Sequence, residues 1–348
     1  MSFFNREKEV AEIKAILSGE PNIIWFFYGP INSGKTALIT KVIEELSEDY
    51  RVFYINFRGV ETRRYEDFVR ALFQPRDETI WEKLRKKADI IEAAFEYAEK
   101  VMKKVNFHFE VPTRVLKLLF QPEPERDVFK YLEALMRRLK EKGKKPVIVF
   151  DELQVIRELK KNGSVLHDLF NFLVRITKET HFCHSFCVTS DSLFIEEIYR
   201  NARLEGRMRS FLVDDLDKNE AFKMYEAFGF EEKELIWDYI GGKIGDMVLL
   251  FEEKKRGFSE GEIVKMFLED AKNRLLWLKG EMMEKLSAWE EYWEFLRSFR
   301  DGDYIRFSPE KRGIINFWVR ENVLFFDPSR GIIRPQGRLI WRAIRELI

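Results

Sequence analysis

The sequence predicts an α/β fold: a parallel sheet with helices on both faces, then a helical lid subdomain, then a C-terminal winged helix-turn-helix. Three observations predict it. Apolar runs too continuous for a half-exposed strand alternate with helical patterns over the first 216 residues, as in a parallel sheet covered on both faces. Strand signals then stop, and helical stretches closed by glycine follow. The last segment places two helices before a hairpin and a closing helix. At 348 residues and 45% hydrophobic, the chain exceeds what one core usually holds.

Taken in order, PNIIWFFYGP (21–30) reads as a buried strand ending in Gly-Pro, and TALITKVIEELSED (36–49) as an amphipathic helix. RVFYINFRG (51–59), PVIVFDE (146–152), HFCHSFCVTS (181–190) and RSFLVDDL (209–216) read as four further strands. The span of about 60–145 is long for one crossover and reads as a helical insertion, with NFHFEV (106–111) as a short strand within it. Four helices fill 217–280. MMEKLSAWEEYWEFLRSF (282–299) reads as one helix. Ser308 is the expected N-cap of the next, with Pro309 at its first position. LFFD–PSRG–IIRP reads as a hairpin. The expected domains are 1–216, a helical lid at 217–280 and a winged helix at 281–348.

Composition excludes several classes. Sixty basic residues balance sixty acidic ones, so no global field draws the molecule to nucleic acid or membrane. No run of about 18 apolar residues exists, and the charged start MSFFNREKEV carries no signal-peptide pattern, which predicts a cytoplasmic protein. Cys183 and Cys187 lie too far apart along one strand for a disulfide. With His181 and His184 they invite a zinc reading, but one strand points alternate side chains to opposite faces, so buried core is the better one. Charged residues make up 34% of the chain and Gln occurs only at 74, 121, 154 and 336, a balance of the thermophilic kind.

The chemistry concentrates at GPINSGKT (29–36), which fits G-x-x-x-x-G-K-[ST] between an apolar strand and an amphipathic helix. This is the pattern of a P-loop NTPase. Gly29, Pro30, Ile31, Asn32, Ser33, Gly34, Lys35, Thr36 and Ala37 are expected to form the phosphate-binding loop, whose backbone N–H groups (Pro30 lacks one) wrap phosphates at the helix N-terminus. Lys35 is expected to reach the β- and γ-phosphates, and Thr36 to ligate Mg²⁺. The plain alternative is a glycine loop beside a surface lysine. VIVFDELQ (147–154) places Asp151 at the carboxyl end of a buried strand, where α/β sheets bind ligands. Asp151 is expected to hold magnesium and Glu152 to polarise the attacking water; the alternative is a purely structural cap. Thr189, Ser190, Asp191 and Ser192 close the fourth strand, as a phosphate sensor or as an ordinary cap. Arg207, in LEGRMR, is a candidate for stabilising transition-state charge.

The opening FFNREKEV, GPINSGKT, VIVFDELQ, LEGR, the YIGG turn and IIRPQGRLIWRAIREL together resemble the archaeal Walker-type ATPases of the AAA+ and STAND group, distant relatives of archaeal origin-recognition proteins. The resemblance spans most of the chain outside about 75–130. It implies that Phe4, Asn5 and Arg6 lie beside an adenine, that Gly206–Arg207 reads the γ-phosphate, and that the C-terminal winged helix contacts nucleic acid or protein. The chain departs from the family's Gly-Ser after the fourth strand, where Ser190–Asp191 stand, and an acid there would repel a γ-phosphate. It also carries Gly241–Gly242–Lys243–Ile244 in place of Gly-Gly-x-Pro.

These readings lead to a Mg²⁺-dependent ATPase that switches between ATP and ADP states and passes the change through its winged helix. The alternative is an ATP-dependent DNA-binding protein of origin-recognition type. Residues 297–348 hold eleven Arg or Lys against six Asp or Glu, a net of +5, and Arg320, Arg330 and Arg334 could face phosphates. Yet the helix carrying Ile314, Ile315, Phe317, Trp318 and Val319 is apolar enough to be core, which favours a protein contact. A small-molecule kinase is the third class; Asp151–Glu152 on one strand favours water activation over it. Which partner responds, and the oligomeric state, stay open.

Overall fold

A computed structural model of the chain describes residues 6–58, 68, 71–72, 105–106, 128–159 and 165–348. Most of the expected helical insertion, including residues 107–111 of its short strand, lies outside them, as do Phe4 and Asn5.

The N-terminal part opens with α1 (Glu7–Ser18), β1 (Ile24–Tyr28), α2 (Lys35–Glu44) and β2 (Tyr50–Asn56). It continues with β3 (Val105–Asn106), α3 (Val128–Glu141), β4 (Lys145–Asp151) and α4 (Val165–Val174). β5 (His184–Thr189), α5 (Ser192–Tyr199) and β6 (Met208–Leu212) complete it. The six strands form one sheet in the order β3-β2-β4-β5-β1-β6, and every pairing is parallel. The five main expected strands are present: β1 and β5 are shorter at both ends, while β2, β4 and β6 begin one residue earlier and end sooner; of the strand expected at 106–111, only Asn106 lies among the described residues.

Side chains alternate across the sheet, so each strand feeds two cores. Phe26, Tyr28, Phe53, Ile55, Ile148 and Phe150 face one side, against α3, α4 and α5. Phe27, Val52, Tyr54, Val147, Val149, Phe186 and Val188 face the other, against α1 and α2. Both sides being buried is why the strands read as unbroken apolar runs. Cys183 and Cys187 are buried in the first core as free thiols.

Four helices follow: α6 (Lys218–Ala227), α7 (Lys233–Tyr239), α8 (Ile244–Lys255) and α9 (Glu260–Lys285). Capping boxes open two of them, Asp217 with Glu220 and Ser259 with Glu262. α9 runs for 26 residues, about 39 Å. Ile263 and Val264 join the lid core, while Leu268, Ala271, Leu275 and Met282 join the C-terminal core. The expected boundary at 280 therefore falls inside one helix.

The C-terminal unit contains α10 (Trp289–Phe295), β7 (Ile305–Arg306), α11 (Arg312–Arg320), β8 (Leu324–Asp327), β9 (Ile332–Pro335) and α12 (Arg338–Leu347). The hairpin β8–β9 is antiparallel and β7 adds a third strand to β9. Two expectations need correction here. Residues 282–299 are not one helix: Leu286 turns to extended backbone, ending α9 and letting its side chain pack into the C-terminal core. Ser308 does stand at an N-cap position with Pro309 first, but of a tight 3₁₀ turn, Pro309–Lys311, before α11, and its hydroxyl donates to Glu310 instead of accepting a backbone N–H. α11 buries Ile314, Ile315, Trp318 and Val319, as its apolar sequence requires. Among the described residues, no helix is long and apolar enough to cross a membrane.

Candidate functional site

The strand register brings the chemistry to one edge. Asn56 lies beside Asp151 at the carboxyl ends of β2 and β4, and Tyr28 lies beside Thr189 at those of β1 and β5. The loop after Tyr28 is bent by Asn32 (φ 58°) and Gly34 (φ 91°) into the left-handed region. Gly29 is required for a different reason: a Cβ there would stand 2.1 Å from the carbonyl oxygen of Val213, which continues β6. Lys35 opens α2 and is buried, its ammonium donating to the carbonyls of Gly29 (3.1 Å) and Pro30 (2.7 Å). Burial pulls its pKa down to about 8, against the opposing charge of Glu152.

The second half of the site meets the first through Thr36, whose hydroxyl donates to Asp151 Oδ2 (2.9 Å). Tyr54 donates to the same oxygen (2.5 Å), and burial beside Asp151 holds its phenol protonated. Glu152 follows in a left-handed conformation (φ 57°), with its backbone N–H on Asp151 Oδ1 (3.0 Å). Its carboxylate is buried and pairs with Arg58 and with the side-chain amide of Gln154 (2.6 Å).

A cavity of about 630 Å³ opens over the loop. It is lined by Lys35, Thr36 and Ala37 on one side and by Met224, Ile244 and Val248 from the lid on the other. Its size suits a small ligand of nucleotide scale. The residues present fit one. Ser33 Oγ is fully buried without a hydrogen-bond partner in the loop, and the loop presents N–H groups at the start of α2. Thr36 and Asp151 offer the hard oxygen donors that magnesium takes.

Other predicted residues behave differently. Arg6 is at the site, but its guanidinium is committed to the carbonyls of Ser33 (2.6 Å) and Asp214 (2.5 Å) and to Glu9 (2.7 Å), so it braces the loop. Asp191 faces away from a phosphate: it caps α5 through the N–H groups of Leu193 and Phe194 and pairs with Arg157 (3.0 Å). Ser190 lines the cavity, and Ser192 Oγ accepts the N–H of Phe326. Arg207 is corrected outright as a phosphate contact within its own chain. Its carbonyl accepts the N–H of Ile24 at the start of β1, so it stands at the amino edge of the sheet. Four strand steps, about 13 Å, separate that edge from Tyr28 and the loop.

Sequence reasoning missed Tyr54, Arg58, Gln154 and Lys243. Lys243 sits nearly buried between lid and loop, donating to Ile31 O (3.1 Å) and Asp215 (3.3 Å). Burial pushes the Asp215 carboxyl up, and Lys243 offsets part of that. The Gly241–Gly242 pair was the available signal: a Cβ at Gly242 would lie 1.8 Å from the Leu216 carbonyl oxygen, so backbone meets backbone there. The C-terminal hairpin reaches the site too. Tyr28 donates to Asp327 (2.7 Å) and lies 2.9 Å from Ser329 Oγ, Phe325 joins the sheet core, and Arg334 pairs with Asp214.

A parallel sheet with its loop, acidic strand end and lid at the carboxyl edge defines a P-loop α/β protein. The family described as an ATPase domain predominantly from Archaea matches residues 3–250, and the C-terminal domain of MJ1010-like uncharacterized ATP-binding proteins matches 261–348. The chain belongs to this family of archaeal ATPase-domain proteins. Two uncharacterized ATP-binding proteins of Methanocaldococcus jannaschii are 38% and 37% identical to it, over all of this chain and 99% and 97% of theirs. Among solved structures, the Walker-type ATPase of Pyrococcus abyssi matches with a TM-score of 0.63 at 17% identity, covering 99% of this chain and 96% of that one. The Aeropyrum pernix ORC2 protein matches with a TM-score of 0.53 at 14% identity, covering 99% and 93%. At these identities the likeness is one of fold.

Proposed function

We propose that the chain is a magnesium-dependent ATPase of the AAA+ kind that works as a nucleotide-driven switch. The observation that carries this is the meeting of Thr36 and Asp151 at 2.9 Å, beside Lys35 and Glu152. Lys35 would leave the Gly29 and Pro30 carbonyls for the nucleotide's phosphates. Thr36 and Asp151 would hold magnesium, which when bound neutralises charge on the phosphate oxygens. Glu152 would take the proton of the attacking water. Met224, Ile244 and Val248 offer an apolar surface for the base. The ATP-binding relatives support this reading. Lys35→Ala should abolish nucleotide binding, whereas Glu152→Gln should bind ATP and stall. Hydrolysis by Glu152→Gln at the wild-type rate would remove Glu152 from its role.

The unit from α10 to α12 is read as a winged helix whose hairpin is the wing, with the lid before it. Its contacts favour a switch that signals to a protein over direct DNA reading. Of the three arginines that could face phosphates, Arg334 is taken by Asp214 and Arg330 lies 3.6 Å from Asp327. Duplex DNA should therefore leave ATP turnover unchanged; clear stimulation would restore the origin-recognition reading.

A further inference from the structure

Resting on the assignment of Glu152 as the water-activating residue, we infer that Gln154 is a positioning residue that ties Glu152 to Thr189 at the end of β5. Gln154 Nε2 lies 2.6 Å from Glu152 Oε2, and its Oε1 lies 2.7 Å from Thr189 Oγ1. The direction of this chain is forced. An ionised carboxylate only accepts, so Gln154 must turn its NH₂ toward Glu152. Its oxygen then faces Thr189, which must donate. Thr189 Oγ1 meanwhile accepts the N–H of Asp191 (3.1 Å), which fixes the hydroxyl on the backbone turn that opens α5.

The arrangement has a chemical purpose. Arg58 and Gln154 hold the two oxygens of Glu152 separately, one by charge and one by a neutral donor. A neutral donor aims the carboxylate without adding a second positive charge. β5 lies between the strand of the P-loop and the strand of Glu152, so the relay anchors the carboxylate to the middle of the sheet. This also gives Thr189 a task other than contact with phosphate: its hydroxyl is spent on Gln154.

The test compares kcat, and ATP affinity by equilibrium binding, in the wild type, Glu152→Gln, Gln154→Leu, Thr189→Val, Thr189→Ser and the Gln154→Leu/Thr189→Val double variant. Gln154→Leu and Thr189→Val should each lower kcat by about tenfold with ATP affinity held within about twofold. Thr189→Ser should restore wild-type behaviour, and the double variant should be no slower than the slower single one. Additive losses, a loss of ATP affinity that matches the loss of kcat, or a Thr189→Ser variant as impaired as Thr189→Val would overturn the inference. A wild type without turnover, or an active Glu152→Gln, overturns the underlying assignment instead.

Discussion

Tyr28, the last residue of the strand that carries the P-loop, donates its phenolic hydrogen to Asp327 at the end of β8 in the C-terminal hairpin, 299 positions along the chain. Burial keeps the phenol protonated, so it acts as a permanent donor, and Asp327 is only 1% exposed. Tyr28→Phe leaves a buried carboxylate short of a partner, which costs about 1–3 kcal/mol. Chemical denaturation should show that loss. A midpoint equal to wild type would mean that the contact carries no weight in holding the hairpin.

ATP affinity should depend on pH through Lys35. Its folded-state pKa is about 8, below the ordinary 10.5, and a bound phosphate favours the charged ammonium. Affinity should therefore be level below pH 8 and fall toward tenfold per unit above it. The ligand-free protein should show the opposite slope: between pH 8 and 10.5 the unfolded chain holds a proton the folded one lacks, so stability gains from this group as pH rises. Titration of a nucleotide at pH values from 6.5 to about 9.5 reads the first effect; a flat profile refutes it.

Magnesium removal tests the second half of the site. A chelator should abolish turnover, and Asp151→Asn should raise the Mg²⁺ concentration for half-maximal activity by at least about tenfold. The same Mg²⁺ dependence in variant and wild type would take Asp151 out of the metal site.

Two glycines should respond in opposite directions. Gly242→Ala forces a methyl into the Leu216 backbone and should cost several kcal/mol, about 3 or more. Gly280→Ala, exposed within α9 with open space around it, should stabilise by up to about 1 kcal/mol. Thermal unfolding of the pair checks both signs against one background.

Arg207→Ala should leave kcat within about twofold of wild type, since the residue stands at the far edge of the sheet. A loss of a hundredfold would place Arg207 at a phosphate supplied by another copy of the chain.

The sheet and the P-loop were legible because continuous apolar strands and a spaced glycine–lysine motif are local signals. PVIVFD announced both its burial and the acid at its end. The partners of that acid were not legible. Tyr54 and Arg58 lie almost a hundred residues upstream of Asp151 and Glu152, and only the parallel register of β2 with β4 brings them together. Arg207 shows the reverse fault: the LEGR pattern drew attention to a residue whose place just before β6 puts it at the other end of the sheet. Asp191 looked like a repulsive acid beside phosphate because sequence order fixes position along a strand but leaves side-chain direction to the cap it makes. The break at Leu286 carried no Gly or Pro to announce it, since packing alone ends that helix.

The hairpin resting on Tyr28 has a thermodynamic corollary. If ATP binding shifts the strand end beneath the loop, it changes the affinity with which the hairpin stays docked. A partner that captures the freed hairpin must then change the affinity for ATP by the same factor, because the two equilibria share one cycle. The chain would report its nucleotide to a partner and its partner to the nucleotide with equal strength.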